Sequence, residues 1–97
     1  MLYAVSLSLN DAVLQELYVG GHWQNAYAEL AQTLSDCGFG RRQGSIYFGS
    51  RDISAVQCVL AVQRLARQYP WFNPAVTEIQ MLRIEEISDL SPCCIVD

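Results

Sequence analysis

Apolar and polar positions alternate cleanly over the opening residues. Tyr3, Val5, Leu7 and Leu9 fall on one side and Ala4, Ser6 and Ser8 on the other, the period-two signature of a strand with one buried face. The bulky side is expected to meet helices, and the small, weakly polar side leaves room for another sheet. Residues 10–18 read as a short helical or irregular segment, broken by Gly20-Gly21. The period then lengthens. Trp23, Ala26, Tyr27, Leu30, Leu34 and Cys37 recur at helical spacing, and Gly38 is a left-handed stop. Phe39 to Phe48 is β-prone, with Gly44 predicting a bulge or bend that divides it into two short strands. Asp52 is the expected N-cap of a second helix. Its apolar stripe is Ala55, Cys58, Val59, Val62, Leu65, Ala66 and Tyr69, and Pro70 ends it. Glu78 to Ile87 reads as the last strand, with Ile79 and Met81 on one face and Leu82 and Ile84 on the other. That pattern suits a strand covered on both sides, by helices and by a partner.

In order, these elements make βαββαβ. They predict an α+β, ferredoxin-like sandwich, with two helices on one face of an antiparallel sheet and dimerisation through the other face. A chain of 97 residues fits a single domain over 1–97, without repeats or linkers. The short apolar tail, Ser91 to Asp97, is a candidate extra edge strand on a partner subunit. Half the residues are apolar (52%), enough for a core with a surplus for an interface. No apolar run approaches the roughly 18–20 residues that cross a bilayer, so no membrane partner is expected. The N-terminus lacks the basic flank of a signal peptide. The expected location is cytoplasmic, where the four cysteines stay reduced. Cys37 and Cys58 read as buried thiols on helix faces, and Cys93-Cys94 as a free vicinal pair. With no C-x-x-C and one histidine, His22, the ligands for a zinc site are too few.

A net charge of −4 argues against broad, non-specific nucleic-acid binding. The positive charge is concentrated, however. All six basic residues are arginines, and Arg41, Arg42 and Arg51 lie within one short stretch, RRQGSIYFGSR. Forked guanidinium donors suit phosphate contacts. Gln43, Ser45 and Tyr47 add an amide and two hydroxyls on one face, if the bend at Gly44 does not reset the alternation. This group, Arg41, Arg42, Gln43, Ser45 and Tyr47, would either bind an RNA backbone or build a dimer seam. Glu85 and Glu86 most simply hold solvent or pair with Arg83, and His22 has no recognisable partner for proton transfer.

The element Gln43-Gly44-Ser45-Ile46-Tyr47, following the step Gly38-Phe39, resembles the Q-G-S-[VI]-Y element of the virulence-associated protein D (VapD) family. The opening LYAVSLSL, the AYAEL of Ala26 to Leu30, the PWFNPAV of Pro70 to Val76 and the IQMLRIEEISDL of Ile79 to Leu90 resemble the family's other segments in the same order. The resemblance thus runs from Leu2 to about Leu90. It implies a relative of the CRISPR-associated Cas-two proteins, a ferredoxin-like homodimer and an endoribonuclease of a toxin–antitoxin pair. RNA and an antitoxin-like protein would be its partners.

Two departures bear on the chemistry. The family's first strand ends in an A-F-D-L type of motif whose aspartate is held to carry the nuclease reaction; the matching position here is Ser8. A serine brings no negative charge to Mg²⁺ and, without an adjacent base, is a poor nucleophile. Mg²⁺ is therefore an expected cofactor only if nuclease activity is retained. Asp11, three residues on and past the strand end, is not expected to reach the same point. The family's R-D-I-R pattern is here Thr77-Glu78-Ile79-Gln80, without its basic residues. Three readings follow: a VapD-type ribonuclease with an altered site, an inactive dimeric relative that binds RNA or protein as a partner or regulator, and a purely structural dimer.

Overall fold

The computed structural model describes residues 1–94, with the side chains of Arg41, Arg42 and Gln43 outside the described set. Its strands are β1 (Leu2–Leu9), β2 (Phe39–Gln43), β3 (Ile46–Gly49) and β4 (Val76–Ile84). Its helices are α1 (Asp11–Leu17), α2 (Asn25–Asp36), α3 (Ala55–Gln68) and the single turn α4 (Phe72–Ala75). The strands form one antiparallel sheet in the order β2-β3-β1-β4. With long helices after β1 and β3, this is the ferredoxin-like arrangement expected from the sequence.

The alternation in β1 decides which side of the sheet is covered. Val5 and Leu7 are buried in the core with Leu30, Leu34, Cys58, Ala61 and Leu65, and Tyr3 and Leu9 pack against it. The opposite side follows from the register: Ala4 lies between Phe48 and Leu82, Leu2 beside Ile84, and Ser6 between Ile46 and Gln80. This face carries a row of apolar side chains at its centre and turns polar towards Ser8, which pairs with Glu78.

The connections are set locally. Gly38 adopts φ +94° at the end of α2, as a left-handed stop requires. Gly49 is needed for close approach, because a Cβ there would come within 3.0 Å of both Ile53 and the Tyr3 carbonyl. Ser54, rather than Asp52, caps α3. Its hydroxyl accepts from the Gln57 N–H (3.3 Å) while the Gln57 side chain accepts from the Ser54 N–H (2.7 Å). This reciprocal box satisfies two amides at once, which Asp52, further upstream, cannot do. Tyr69 is the C-cap and Pro70 follows.

Other expectations change. Of the two readings of residues 10–18 the helical one holds, with α1 started by the Asn10 side chain accepting from the Val13 N–H. The last strand begins at Val76 and ends at Ile84, not over Glu78 to Ile87. It begins at the end of the α4 turn and stops where β1, its neighbour in the sheet among the described residues, begins at Leu2. Val59, placed on the apolar stripe of α3, is 53% exposed. It lies beside a shallow apolar groove between α3 and β4, with Val62, Ile79 and Met81. Ser91 to Cys94 form a 3-10 turn, started by Asp89 accepting from the Ser91 N–H and hydroxyl. Ile95 to Asp97 lie outside the described residues. Cys58 is buried, Cys37 is half-buried at the end of α2, and Cys93 and Cys94 are exposed free thiols.

Candidate functional site

β1 ends beside the β2–β3 turn, and the two are locked together by the Leu7 N–H donating to the Ser45 carbonyl (3.0 Å). On the other side of β1, the Thr77 hydroxyl donates to the Ser8 carbonyl (3.1 Å) and the Asn10 N–H to the Ala75 carbonyl (2.7 Å). The end of the first strand is thereby fixed from both flanks.

A cavity of about 280 Å³ opens there, lined by Leu7, Ser8, Leu9, Tyr27, Gly44, Ser45 and Tyr47. The fold thus brings together three residues singled out from the sequence, Ser8, Ser45 and Tyr47. They meet because Gly44, at φ +47°, turns the chain back sharply. The same turn resets the alternation. Gln43 pairs with Ile46 and Arg41 with Tyr47, so Gln43, Ser45 and Tyr47 do not continue along one strand face. Ser45 is exposed, whereas Tyr47 is a core residue that reaches the cavity from the helix side. The side chains of Arg41, Arg42 and Gln43 lie outside the described residues, but their backbone forms the strand leading into this turn.

Tyr27 was legible only as one position of a helical stripe. In the fold it projects from α2 into the cavity wall, edge-on to Trp23 (6.4 Å between ring centroids). Its hydroxyl donates a hydrogen bond to the carboxylate of Asp11, the first residue of α1. Asp11 does not itself line the cavity but holds one of its lining side chains, Tyr27. Burial, and then the bond to Asp11, push the Tyr27 hydroxyl from about 10 up to about 12.

This shift has a consequence at alkaline pH. The folded chain keeps a proton that the unfolded chain releases near pH 10, so stability falls as pH rises. The contribution is complete below about pH 10 and lost as pH climbs through about 12. Denaturant titrations across this window should show wild type losing stability more steeply than Tyr27→Phe. Parallel curves would mean that the Asp11 bond does not distinguish the two forms of the phenol.

The remaining candidates lie elsewhere. Glu85, Glu86 and Arg51 line a separate open groove between the end of β3 and the segment after β4. His22 is exposed at the glycine break, where its carbonyl accepts from the Asn25 N–H. The residues of the cavity do not suit the Mg²⁺ site that the resemblance implies. Magnesium favours carboxylates and water in octahedral array, but the residues lining the cavity carry hydroxyls and no carboxylate; Asp11 beside it already accepts from Tyr27, and Glu78 pairs with Ser8 from β4. Among the described residues no three His, Cys, Asp or Glu side chains converge on one point.

An antiparallel β2-β3-β1-β4 sheet with its cavity at the end of the first strand defines a ferredoxin-like protein with a hydroxyl-lined site. No family model matches the chain, but full-length relatives do. The chain is 43% identical to endoribonuclease VapD 2 of Riemerella anatipestifer, over 94% of this chain and 97% of the relative. It is 41% identical to an endoribonuclease VapD homolog of Helicobacter pylori, over 94% of each. An endoribonuclease VapD of the same species is 32% identical, over 93% of this chain and 95% of the relative. The chain belongs to the VapD family. No helix among the described residues is long and apolar enough to cross a membrane.

Proposed function

We propose that this chain is a VapD-type endoribonuclease that binds single-stranded RNA at the end of β1 and cleaves it slowly. The observation that carries this reading is the shared cavity of Ser8, Ser45 and Tyr47 in a chain whose relatives are named endoribonucleases. RNA contains its own nucleophile, the ribose 2′-hydroxyl, so cleavage can proceed by positioning that group against the neighbouring phosphorus: its oxygen bonds to phosphorus to form a 2′,3′-cyclic phosphate, the bond to the 5′-oxygen breaks, and solvent takes the 2′-proton and protonates the departing 5′-oxygen. A carboxylate at position 8 would accelerate the reaction but is not its only source. Arg41 and Arg42 supply the phosphate contacts that the acidic chain otherwise lacks.

The protein works as a cytoplasmic single-domain homodimer joined through the open face of the sheet. Phe48, Leu82 and Ile84, half-buried around Ala4, would be covered there, and two cavities would lie on one particle. Its place is in a toxin–antitoxin pair, with an antitoxin-like protein covering the RNA site. A second reading, favoured by Ser8, is a relative that binds RNA without cutting it. Incubation of end-labelled RNA with wild type and Arg42→Ala separates the two. Cleavage that Arg42→Ala weakens supports the nuclease. Binding that Arg42→Ala weakens, with no cleavage in either protein, supports the second reading.

A further inference from the structure

The hydrogen bond between Tyr27 and Asp11 sets the polarity of the cavity. A phenol has one proton, and here it is directed away to the Asp11 carboxylate. Towards the cavity the same oxygen presents only lone pairs, so it can accept a hydrogen bond but not give one. Asp11, the first residue of α1, is placed for this by the Asn10 cap. An ionised phosphate oxygen is acceptor-only and gains nothing from such a partner. A sugar hydroxyl, which carries a proton, does. The other lining groups agree, because Ser8 and Ser45 are neutral hydroxyl residues.

We propose that the Tyr27 oxygen, held by Asp11, accepts a hydrogen bond from a ribose 2′-hydroxyl in this cavity and so distinguishes RNA from DNA. The inference rests on the RNA-binding reading above and adds a specificity residue, Tyr27, with Asp11 as its positioning residue. The distinction between RNA and DNA at any site comes down to the 2′-hydroxyl. A deoxyribose offers no proton at that point, so this bond is lost with DNA.

The test compares binding of a short fluorescein-labelled single-stranded RNA and its all-deoxy counterpart, by anisotropy at equal ionic strength. Wild type should prefer RNA. Tyr27→Phe keeps the ring and its contact with Trp23 but removes the oxygen, and should lower the RNA-over-DNA ratio by about five- to tenfold, the usual worth of one such bond. DNA affinity should stay unchanged. Asp11→Ala leaves the oxygen but frees its orientation, and should lower the ratio by a smaller factor. Circular dichroism verifies that both variants are folded. An unchanged ratio in folded Tyr27→Phe overturns the inference, as does a wild type that binds RNA and DNA equally; both leave the RNA-binding reading standing. A wild type that binds neither strand overturns that reading, and the inference falls with it.

Discussion

Ser8→Asp is expected to raise RNA cleavage in Mg²⁺ by about a hundredfold, the lower end of what a positioned proton acceptor contributes. The reason lies in the sheet. Ser8 pairs directly with Glu78 on β4, so an aspartate at position 8 would stand opposite a carboxylate already present. Side chains directly opposite on antiparallel strands approach to roughly 5 Å at Cβ, close enough for two carboxylates to share one divalent ion. The wild-type pair, one hydroxyl and one acid, lacks the second charge. The substitution carries a cost that provides its own control. Two like charges side by side repel, by up to about 1 kcal/mol at a half-exposed site. The variant should therefore melt a few degrees below wild type without metal and recover when Mg²⁺ is added. A variant whose cleavage and melting both ignore Mg²⁺ would show that this end of β1 is not where the RNA is cut.

Phe39→Ala should lower stability by about 3–5 kcal/mol, the range for emptying a buried aromatic site. Phe39 is among the largest fully buried side chains and sits at the start of β2, an edge strand, opposite Gly49. It anchors that strand to the core beneath α2. For a domain of this length, each kcal/mol moves the melting temperature by about 4–8 °C, so the melt should fall by about 15 °C or more. The effect on function should exceed the effect on folding. β2 carries Arg41 to Gln43 into the Gly44 turn, and loosening its anchor releases the turn that closes the cavity. At a temperature where the variant is still folded, RNA affinity should already be reduced. A melt within a few degrees of wild type would mean that β2 is held mainly by its hydrogen bonds to β3.

Much of the fold could be read from the chain because its signals are local. Alternation over Leu2 to Leu9 placed β1 and its buried face, and the helical period from Ala26 to Leu34 placed α2. Pro70 marked the end of α3, and Gly44 marked the split into β2 and β3. The errors came where a second partner decides. Asp52 is as good a cap in isolation as Ser54, but only Ser54 has Gln57 three residues on to complete the box. Ile87 is apolar enough for a strand, yet β1 begins at Leu2 and pairs only as far as Ile84. In the cavity, Ser8 and Ser45 were found because family motifs mark them. Tyr27 was not, because its role depends on Asp11, sixteen residues earlier on another helix. Nothing in the spacing of a helical stripe shows which of its members also lines a cavity.

Incubation of purified wild-type protein with end-labelled single-stranded RNA and with the matching DNA, each with and without Mg²⁺, tests the account most directly. Slow cleavage of RNA, little changed by Mg²⁺ and absent on DNA, is the predicted result, because the chain supplies hydroxyl groups at the end of β1 and the substrate supplies the attacking 2′-hydroxyl. Equal cutting of DNA, or RNA left intact and unbound in every condition, would contradict it.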